Sequence, residues 1–387
     1  MLTEFTRKNF SLDRELNMKH DLKEICSHFT LYGDFVIGIP FGTGHINDTY
    51  QVAFNQAGVV VHYTVQRINH NVFKNPPALM ENVERVTAHL TAKNAAVPGG
   101  GSRRTLRVVK TVDGKNCYQD PDGNFWRCYI FVENSRTYDI LETEKQAFEA
   151  ARAFGKFQGD LVDIPGGRLN ETIPDFHNTP KRLANLEESI RLDKFDRVKN
   201  VAKEIDFVMS RKDDCGVLLE LQKQGMIPER ITHNDTKLNN VLIDDFTGEG
   251  ICVIDLDTVM PGLAHYDFGD MIRTGTSPAL EDEPDLSKVT MRFNMFEALL
   301  RGYLAGGNGF LNDVELEYLP FAGKLITMEI GIRFLTDYLD GDIYFKTHRN
   351  NHNIDRCHTQ FKLVESIEEQ MDSMKMKVQE IAKEIKK

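Results

Sequence analysis

Two carboxylates and one carboxamide stand at intervals that suit phosphoryl transfer. The segment Ile231 to Asn240 reads His233-x-Asp235-x4-Asn240, and Val253-Ile-Asp-Leu-Asp257 follows, so that Asp255 lies twenty residues after Asp235. Moving a phosphoryl group onto an alcohol needs a base beside the attacking hydroxyl and hard oxygen ligands for the Mg2+ that accompanies nucleotide phosphates. Asp235 is the candidate base, and Asn240 and Asp255 are the candidate Mg2+ ligands. Lys237, two residues after Asp235, is placed to neutralise the transferring group.

The elements that must hold these groups are legible around them. Val241-Leu-Ile243 and Ile251-Cys-Val-Ile254 are short β-prone runs separated by the turn-rich Asp-Asp-Phe-Thr-Gly-Glu-Gly. They predict an antiparallel hairpin with Asn240 opposite Asp255 at its open end. The simpler reading, polar loop residues around an ordinary hairpin, explains an isolated His-x-Asp but not the whole spacing.

Upstream, the order is β-rich. Phe35 to Ile39, Thr49 to Phe54 and Val59 to Val65 read as strands; Pro76-Pro77 opens a helix through Leu90; Thr105 to Val112 and Phe125 to Val132 read as two more strands. A short helix is expected around Leu22 to Phe29. After residue 134 the pattern turns helical, from 143–160 through 180–225 to a last helix from about 361, whose apolar residues recur every three or four positions. The expectation is an α+β, two-lobed, protein-kinase-like fold: a β-rich N-lobe over 1–134, a mainly helical C-lobe over 135–387, a hinge at Val132 to Ser135, and ATP between the lobes.

Within the N-lobe, Gly42-Thr43-Gly44 sits between two strands, where a glycine turn lets backbone amides approach phosphates. On its own such a turn could be a plain hairpin turn, but its position before the His233 to Asn240 loop favours the phosphate reading. The third strand ends Thr64-Val-Gln-Arg67, so Arg67 stands where a lysine would contact the α- and β-phosphates, with Glu84 or Glu81 to orient it. A surface ion pair is the simpler alternative. Glu133, in the hinge, is assigned to the nucleotide.

The whole chain narrows the classes. Its 387 residues suffice for one or two domains, and a net charge of −11 argues against nucleic acid or anionic membrane as partner. No apolar run is long enough to span a bilayer. Six cysteines without a C-x-x-C pair, and no signal peptide, read as reduced thiols in a cytoplasmic protein.

The chain resembles the aminoglycoside phosphotransferase and choline kinase superfamily, and within it the N-acetylhexosamine 1-kinases. Gly42 to Tyr50, Phe154-Gly-Lys-Phe-Gln158, Ile173-Pro-Asp-Phe-His-Asn-Thr-Pro180, His233 to Asn240 and Val253 to Gly262 carry the likeness. The resemblance implies ATP-dependent phosphorylation of the anomeric hydroxyl of N-acetylglucosamine or N-acetylgalactosamine, with Asp235 as base and Asn240 and Asp255 on Mg2+. It also implies that His45, Asp48, Arg333 and Tyr344 touch the sugar. Arg333 has a plainer explanation as an i,i+4 partner of Glu329, and Asp267 and Asp270 as helix caps that brace the loop.

Two other functions fit the same residues less well. An aminoglycoside or choline-type kinase would want an acidic pocket or an aromatic cage. A nucleotide-binding scaffold without catalysis would not need Asp235, Asn240 and Asp255 together. The expected partners are a small sugar and ATP, with the chain a monomer or weak homodimer.

Overall fold

The structure is a computed structural model and describes residues 19–42, 46–95 and 101–385. The chain divides into two compact units, one of residues 1–81 with 107–131, the other of 82–106 with 132–387. The glycine-turn positions Thr43, Gly44 and His45 lie outside the described residues.

The first unit is a β-sheet lobe. Strands β1 (Asp34–Pro40), β2 (Asp48–Gln56) and β3 (Val59–Ile68) form an antiparallel meander, and β3 pairs β6 (Phe125–Ile130). The short strands β4 (Val108–Val109) and β5 (Tyr118–Gln119) both lie on β6. The long strand expected over Thr105 to Val112 is therefore only two residues of ladder, and β5 was not foreseen. Helix α1 (Leu22–Ser27), capped by Asp21, covers one face. Leu22, Ile25, Cys26 and Phe29 pack there with Tyr50, Val52, Phe54, Val65, Trp126 and Cys128. Gly38 permits this closeness, since a Cβ there would stand 2.4 Å from a Leu22 methyl. Trp126 is fully buried and donates its indole N–H to Asp120 (2.8 Å), so it packs the sheet as the sequence suggests.

The second unit is mainly helical. Helix α2 (Pro76–Ala95) begins in the first unit, but from Asn82 onward it belongs to the second. The physical reason is its bonding. Asn82 donates to the Asn170 and Val259 carbonyls (2.8 and 3.1 Å), and Arg85 donates to the Pro165 and Gly167 carbonyls. Arg103, beyond the helix, bonds Asp244 and the Glu133 carbonyl. Residues 82–95 and 101–106, expected in the N-lobe, thus group with the helical unit.

Its core places α3 (Glu144–Leu161) against α8 (Phe293–Gly307) at backbone distance. A Cβ on Gly155 would stand 2.1 Å from the Tyr303 carbonyl oxygen, and one on Gly302 or Gly306 equally close to the Phe148 or Arg152 oxygen. Helix α3 starts at a capping box, Thr143 with Gln146. Further on come α4 (Thr179–Leu192), α5 (Ala202–Met209), α6 (Val217–Lys223), α7 (Ala264–Gly275), α9 (Asp313–Glu317), α10 (Leu319–Leu339) and α11 (His352–Ile385). The last helix begins nine residues before its expected start at 361, and its apolar positions Phe361, Val364, Ile367, Met374, Val378 and Ile381 are buried within the unit. No helix among the described residues is long and apolar enough to cross a membrane.

Candidate active site

The loop that carries the sequence motif leaves β8 (Arg230–Thr232), makes a 3-10 turn over Leu238–Asn240 and enters β9 (Val241–Asp244). Strand β9 pairs β10 (Gly250–Val253) in the predicted hairpin, while the short β7 (Ser135–Arg136) lies on the other side of β9. Asp244 closes the hairpin turn by accepting the Phe246 and Thr247 amides.

The register differs from expectation by one residue. Val241 faces Val253, and the Ile254 amide donates to the Asn240 carbonyl (2.9 Å), so Asn240 lies opposite Ile254. A register shift between Gly250 and Cys252 advances the pairing by one residue; without it Asn240 would face Val253. Asp255 comes next and sits in the left-handed region (φ 58°), which breaks strand alternation there and starts the 3-10 turn Leu256–Thr258.

Inside the loop, Lys237 Nζ lies 3.2 Å from Asp235 Oδ1, and Asn240 Nδ2 donates to the Asp235 carbonyl (2.8 Å) and reaches Oδ2 (3.4 Å). Burial pushes the Asp235 carboxyl up, but the cations Lys237 and Arg273 outweigh it, and the group stays ionised as a base must. Asp235 in turn holds the Lys237 ammonium above its ordinary range. Because the Asn240 amide nitrogen is engaged with Asp235, its remaining amide atom is the hard oxygen. Asp255, the other residue expected to hold Mg2+, follows β10 just beyond Ile254; oxygens of these kinds are what Mg2+ takes, with phosphate and water in its remaining positions.

The backbone around Asp235 is fixed by groups that do no chemistry. Asn234 is left-handed (φ 65°); its side chain donates to the Thr258 and Thr232 carbonyls and accepts from the Thr232 hydroxyl. The buried Asp267 accepts the His233 and Asn234 amides (2.9 and 2.7 Å). Gln158 of α3 donates to the same carboxylate, and the Tyr303 hydroxyl of α8 donates to Gln158. His233 lies between Phe154 and Phe157, with Nε2 directed at the Ile254 carbonyl (2.9 Å) and Nδ1 accepting the Asp235 amide (3.3 Å). That pairing identifies the neutral tautomer protonated at Nε2. Asp267 thus braces the loop as anticipated, but neither it nor Asp270 caps a helix: α7 has no side-chain cap, and Asp270 is the partner of the buried Arg273 (2.8 Å).

The expected sugar residues divide. Arg333 and Tyr344 come together: the Arg333 guanidinium lies 5.4 to 5.8 Å from the ring centroids of Phe176, Phe345 and Tyr344. Among the described residues it makes no hydrogen bond and no ion pair. The i,i+4 pairing with Glu329 is therefore not formed. Glu329, fully buried, is held by His177 Nδ1 (2.8 Å) and the Thr179 hydroxyl (2.6 Å). Tyr344 is exposed.

Asp48 and Arg67 also come together, in the sheet unit. They face each other across β2 and β3, and Arg67 Nε and Nη2 both reach Asp48 Oδ2 at 2.6 Å. Asp48, read as a sugar contact, is the carboxylate that orients Arg67, the role expected of Glu84 or Glu81. Burial pushes the Asp48 carboxyl up, and its bonds to Arg67 reverse that and lower it. Gly42 precedes the turn with φ 83° and open space around it. Glu84 is half-buried on α2, and the Glu133 carbonyl accepts Arg103. Sequence reading missed Asp48 as the Arg67 partner, and His177 and Gln158 as supports; register and tertiary packing alone reveal them.

The model of the phosphotransferase enzyme family matches residues 38–305. An aminoglycoside phosphotransferase from Alicyclobacillus acidocaldarius superposes with a TM-score of 0.56 at 11% identity, over 94% of this chain and 96% of that one. A spectinomycin phosphotransferase, solved with ADP and spectinomycin, gives 0.49 at 13% identity, covering 88% and 98%. A Plasmodium vivax ethanolamine kinase gives 0.48 at 15%, covering 84% and 82%. The sheet lobe and helical lobe are those of the protein-kinase-like phosphotransferase fold.

Proposed function

Since the chain belongs to the phosphotransferase enzyme family, we propose that it transfers the γ-phosphoryl group of ATP to the anomeric hydroxyl of an N-acetylhexosamine, N-acetylglucosamine or N-acetylgalactosamine. In this reading the Asp235 carboxylate takes the proton of the sugar hydroxyl as its oxygen forms the new bond to phosphorus and the bond to the ADP oxygen breaks. Lys237 offsets charge on the transferring group. Mg2+, held by Asn240 and Asp255, would supply charge neutralisation on the phosphates. Gly42, Thr43 and Gly44 belong to the phosphate turn, Arg67 to the phosphates, and Glu84 and Glu133 to the nucleotide's surroundings.

The observation that carries the acceptor class is the state of Arg333. Its guanidinium has planar donors that no group among the described residues takes up, and aromatic rings face it from Phe176, Tyr344 and Phe345. Such a group suits a neutral, hydroxyl-rich acceptor. It disfavours aminoglycosides or choline, because the aromatic faces that would take up their cation are occupied by the protein's own. The choice of the anomeric position rests on the resemblance carried by His233 to Asn240 and Val253 to Gly262.

An ADP-release assay over N-acetylhexosamines, other hexoses, aminoglycosides, choline and ethanolamine tests this directly, with product position read by phosphorus NMR. A sugar 1-phosphate from N-acetylhexosamine is the expected product. A 6-phosphate, or turnover of amines but not of sugars, would overturn the assignment.

A further inference from the structure

The segment Ile173 to Pro180 stands out in the sequence, yet none of its residues takes part in the chemistry described above. In the fold it follows α3 and runs into the first turn of α4, and three of its side chains do separable things. Asn178 caps α4 by accepting the Lys181 amide (3.1 Å). Phe176 offers its ring to Arg333. His177, buried against Tyr266, spans two elements: Nδ1 lies 2.8 Å from Glu329 Oε1 on α10, and Nε2 lies 2.9 Å from the Asn234 carbonyl oxygen.

Both partners of this imidazole are acceptors. A peptide carbonyl cannot donate, and Glu329, which also accepts the Thr179 hydroxyl, is a carboxylate. Satisfying both therefore needs a proton on each ring nitrogen. The Asn234 carbonyl belongs to the left-handed residue just before Asp235, and Glu329 is one helical turn before Arg333 on α10. We propose that His177, as an imidazolium bridging Glu329 and the Asn234 carbonyl, is a positioning residue that fixes the catalytic loop relative to the helix bearing Arg333. The proposal rests on the reading of Asp235 as base. His177 touches neither acceptor nor phosphate. It sets where the base stands relative to the group that holds the acceptor, and a displacement of about 1 Å at such a position costs on the order of 100-fold in rate.

The directions of titration agree with the geometry. Burial alone would lower His177, but Glu329 and the Asn234 carbonyl raise it; burial would raise Glu329, but His177 and Thr179 lower it. The other charged or titratable groups around the pair, among the described residues, are Asp270 and Tyr266 on α7, Arg333 on α10, Arg182 on α4 and Cys215 just before α6.

The two ring nitrogens can be separated by substitution. The amide nitrogen of glutamine falls near the position of Nε2, and that of asparagine near Nδ1. His177→Gln therefore keeps the bond to the Asn234 carbonyl, and His177→Asn keeps only the bond to Glu329. Both lose one partner of the buried pair, so a purely structural role would lower Tm in both and leave their kcat values alike. Positioning predicts that kcat with N-acetylhexosamine falls ~10- to 100-fold in the Asn variant and stays within about fivefold of the parent in the Gln variant, with the ATP KM unchanged in both. Equal kcat values in the two variants overturn the proposal.

Should either fail to fold, Glu329→Gln carries the test, because its amide oxygen still accepts from Nδ1. Without the carboxylate the ring keeps one proton for two acceptors at pH 8, so kcat falls several-fold there and recovers toward pH 6, where the second proton returns; a kcat loss that is the same at both pH values sinks the idea. Asp235→Asn is assayed in parallel. If that variant stays active, the base assignment fails; if it is inactive while the His177 variants match one another, only the bridge fails.

Discussion

The catalytic loop and the Arg333 face belong to one unit and are built in opposite ways. Around Asp235 the backbone is densely bonded: side chains of Asp267, Asn234, Thr258, His233 and Asn240 bond to carbonyls or amides between 232 and 240. Around Arg333 the described residues offer aromatic faces and no hydrogen-bond partner. Chemistry needs a base held still before the substrate arrives, because every angle of freedom left to it adds to the barrier. Recognition of a polyol needs donors whose partner is the substrate. An internal ion pair at Arg333 would have to be broken for each molecule bound.

Four perturbations probe that contrast, from the largest expected effect to the smallest. Asp235→Asn keeps the shape of the loop and removes the proton acceptor; kcat should fall ~10²- to 10⁴-fold with the sugar KM little changed. A variant with near-parental kcat would mean that the loop's rigidity serves something other than the base.

Acid should loosen the loop's support before it touches the Arg333 face. His265 on α7, two residues before Asp267, donates Nε2–H to the Glu315 carbonyl, and burial lowers its pKa from 6.5 to about 4. The unfolded chain takes up this proton at higher pH than the native one. The stability that neutral His265 confers is therefore complete above pH 6.5 and is lost as pH falls toward about 4, an effect of about 3 kcal/mol. Urea midpoints at pH 7 and pH 4.5 measure it. His265→Asn should show a smaller difference between the two midpoints, and an equal difference would assign the acid sensitivity elsewhere.

Arg333→Ala should raise the sugar KM roughly five- to hundredfold, equivalent to ~1–3 kcal/mol, while leaving the ATP KM and Tm close to the parent. The absence of an ion pair makes the stability clause strict: a large fall in Tm would show that the cation–π contacts hold the fold together. The mildest change is Thr143→Ala, which removes the cap of α3. It should cost ~1 kcal/mol of stability and leave both KM values alone.

Local pattern carried the sequence reading a long way. The hairpin from Val241 to Val253, the helix from Glu144 and the order of the main N-terminal strands follow from alternation, turn residues and caps, which are short-range. The same reading failed where an answer depends on a partner distant in sequence. Asp48 finds Arg67 only through the register of β2 against β3. Glu329 chose His177, 152 residues away, over Arg333, four residues away. At Asn240 the reading was one residue off, because the turn between β9 and β10 and the bulge near Gly250 together set the register, and neither shows in strict alternation. The two left-handed residues, Asn234 and Asp255, flank the reacting groups, and neither is marked in the sequence by a glycine.

The glycine seam between α3 and α8 has a consequence for the order of folding. The helices that meet there, 144–161 and 293–307, are far apart in the chain, and the residues that touch are backbone atoms with no side chain to approach in stages. Gln158 and Tyr303, which secure Asp267 beneath the loop, ride on these two helices. The loop can be secured only after most of the chain has been made and the seam has closed, a contact of high sequence separation that forms slowly. During refolding, helical signal should return first and phosphoryl transfer last, in step with burial of Tyr303.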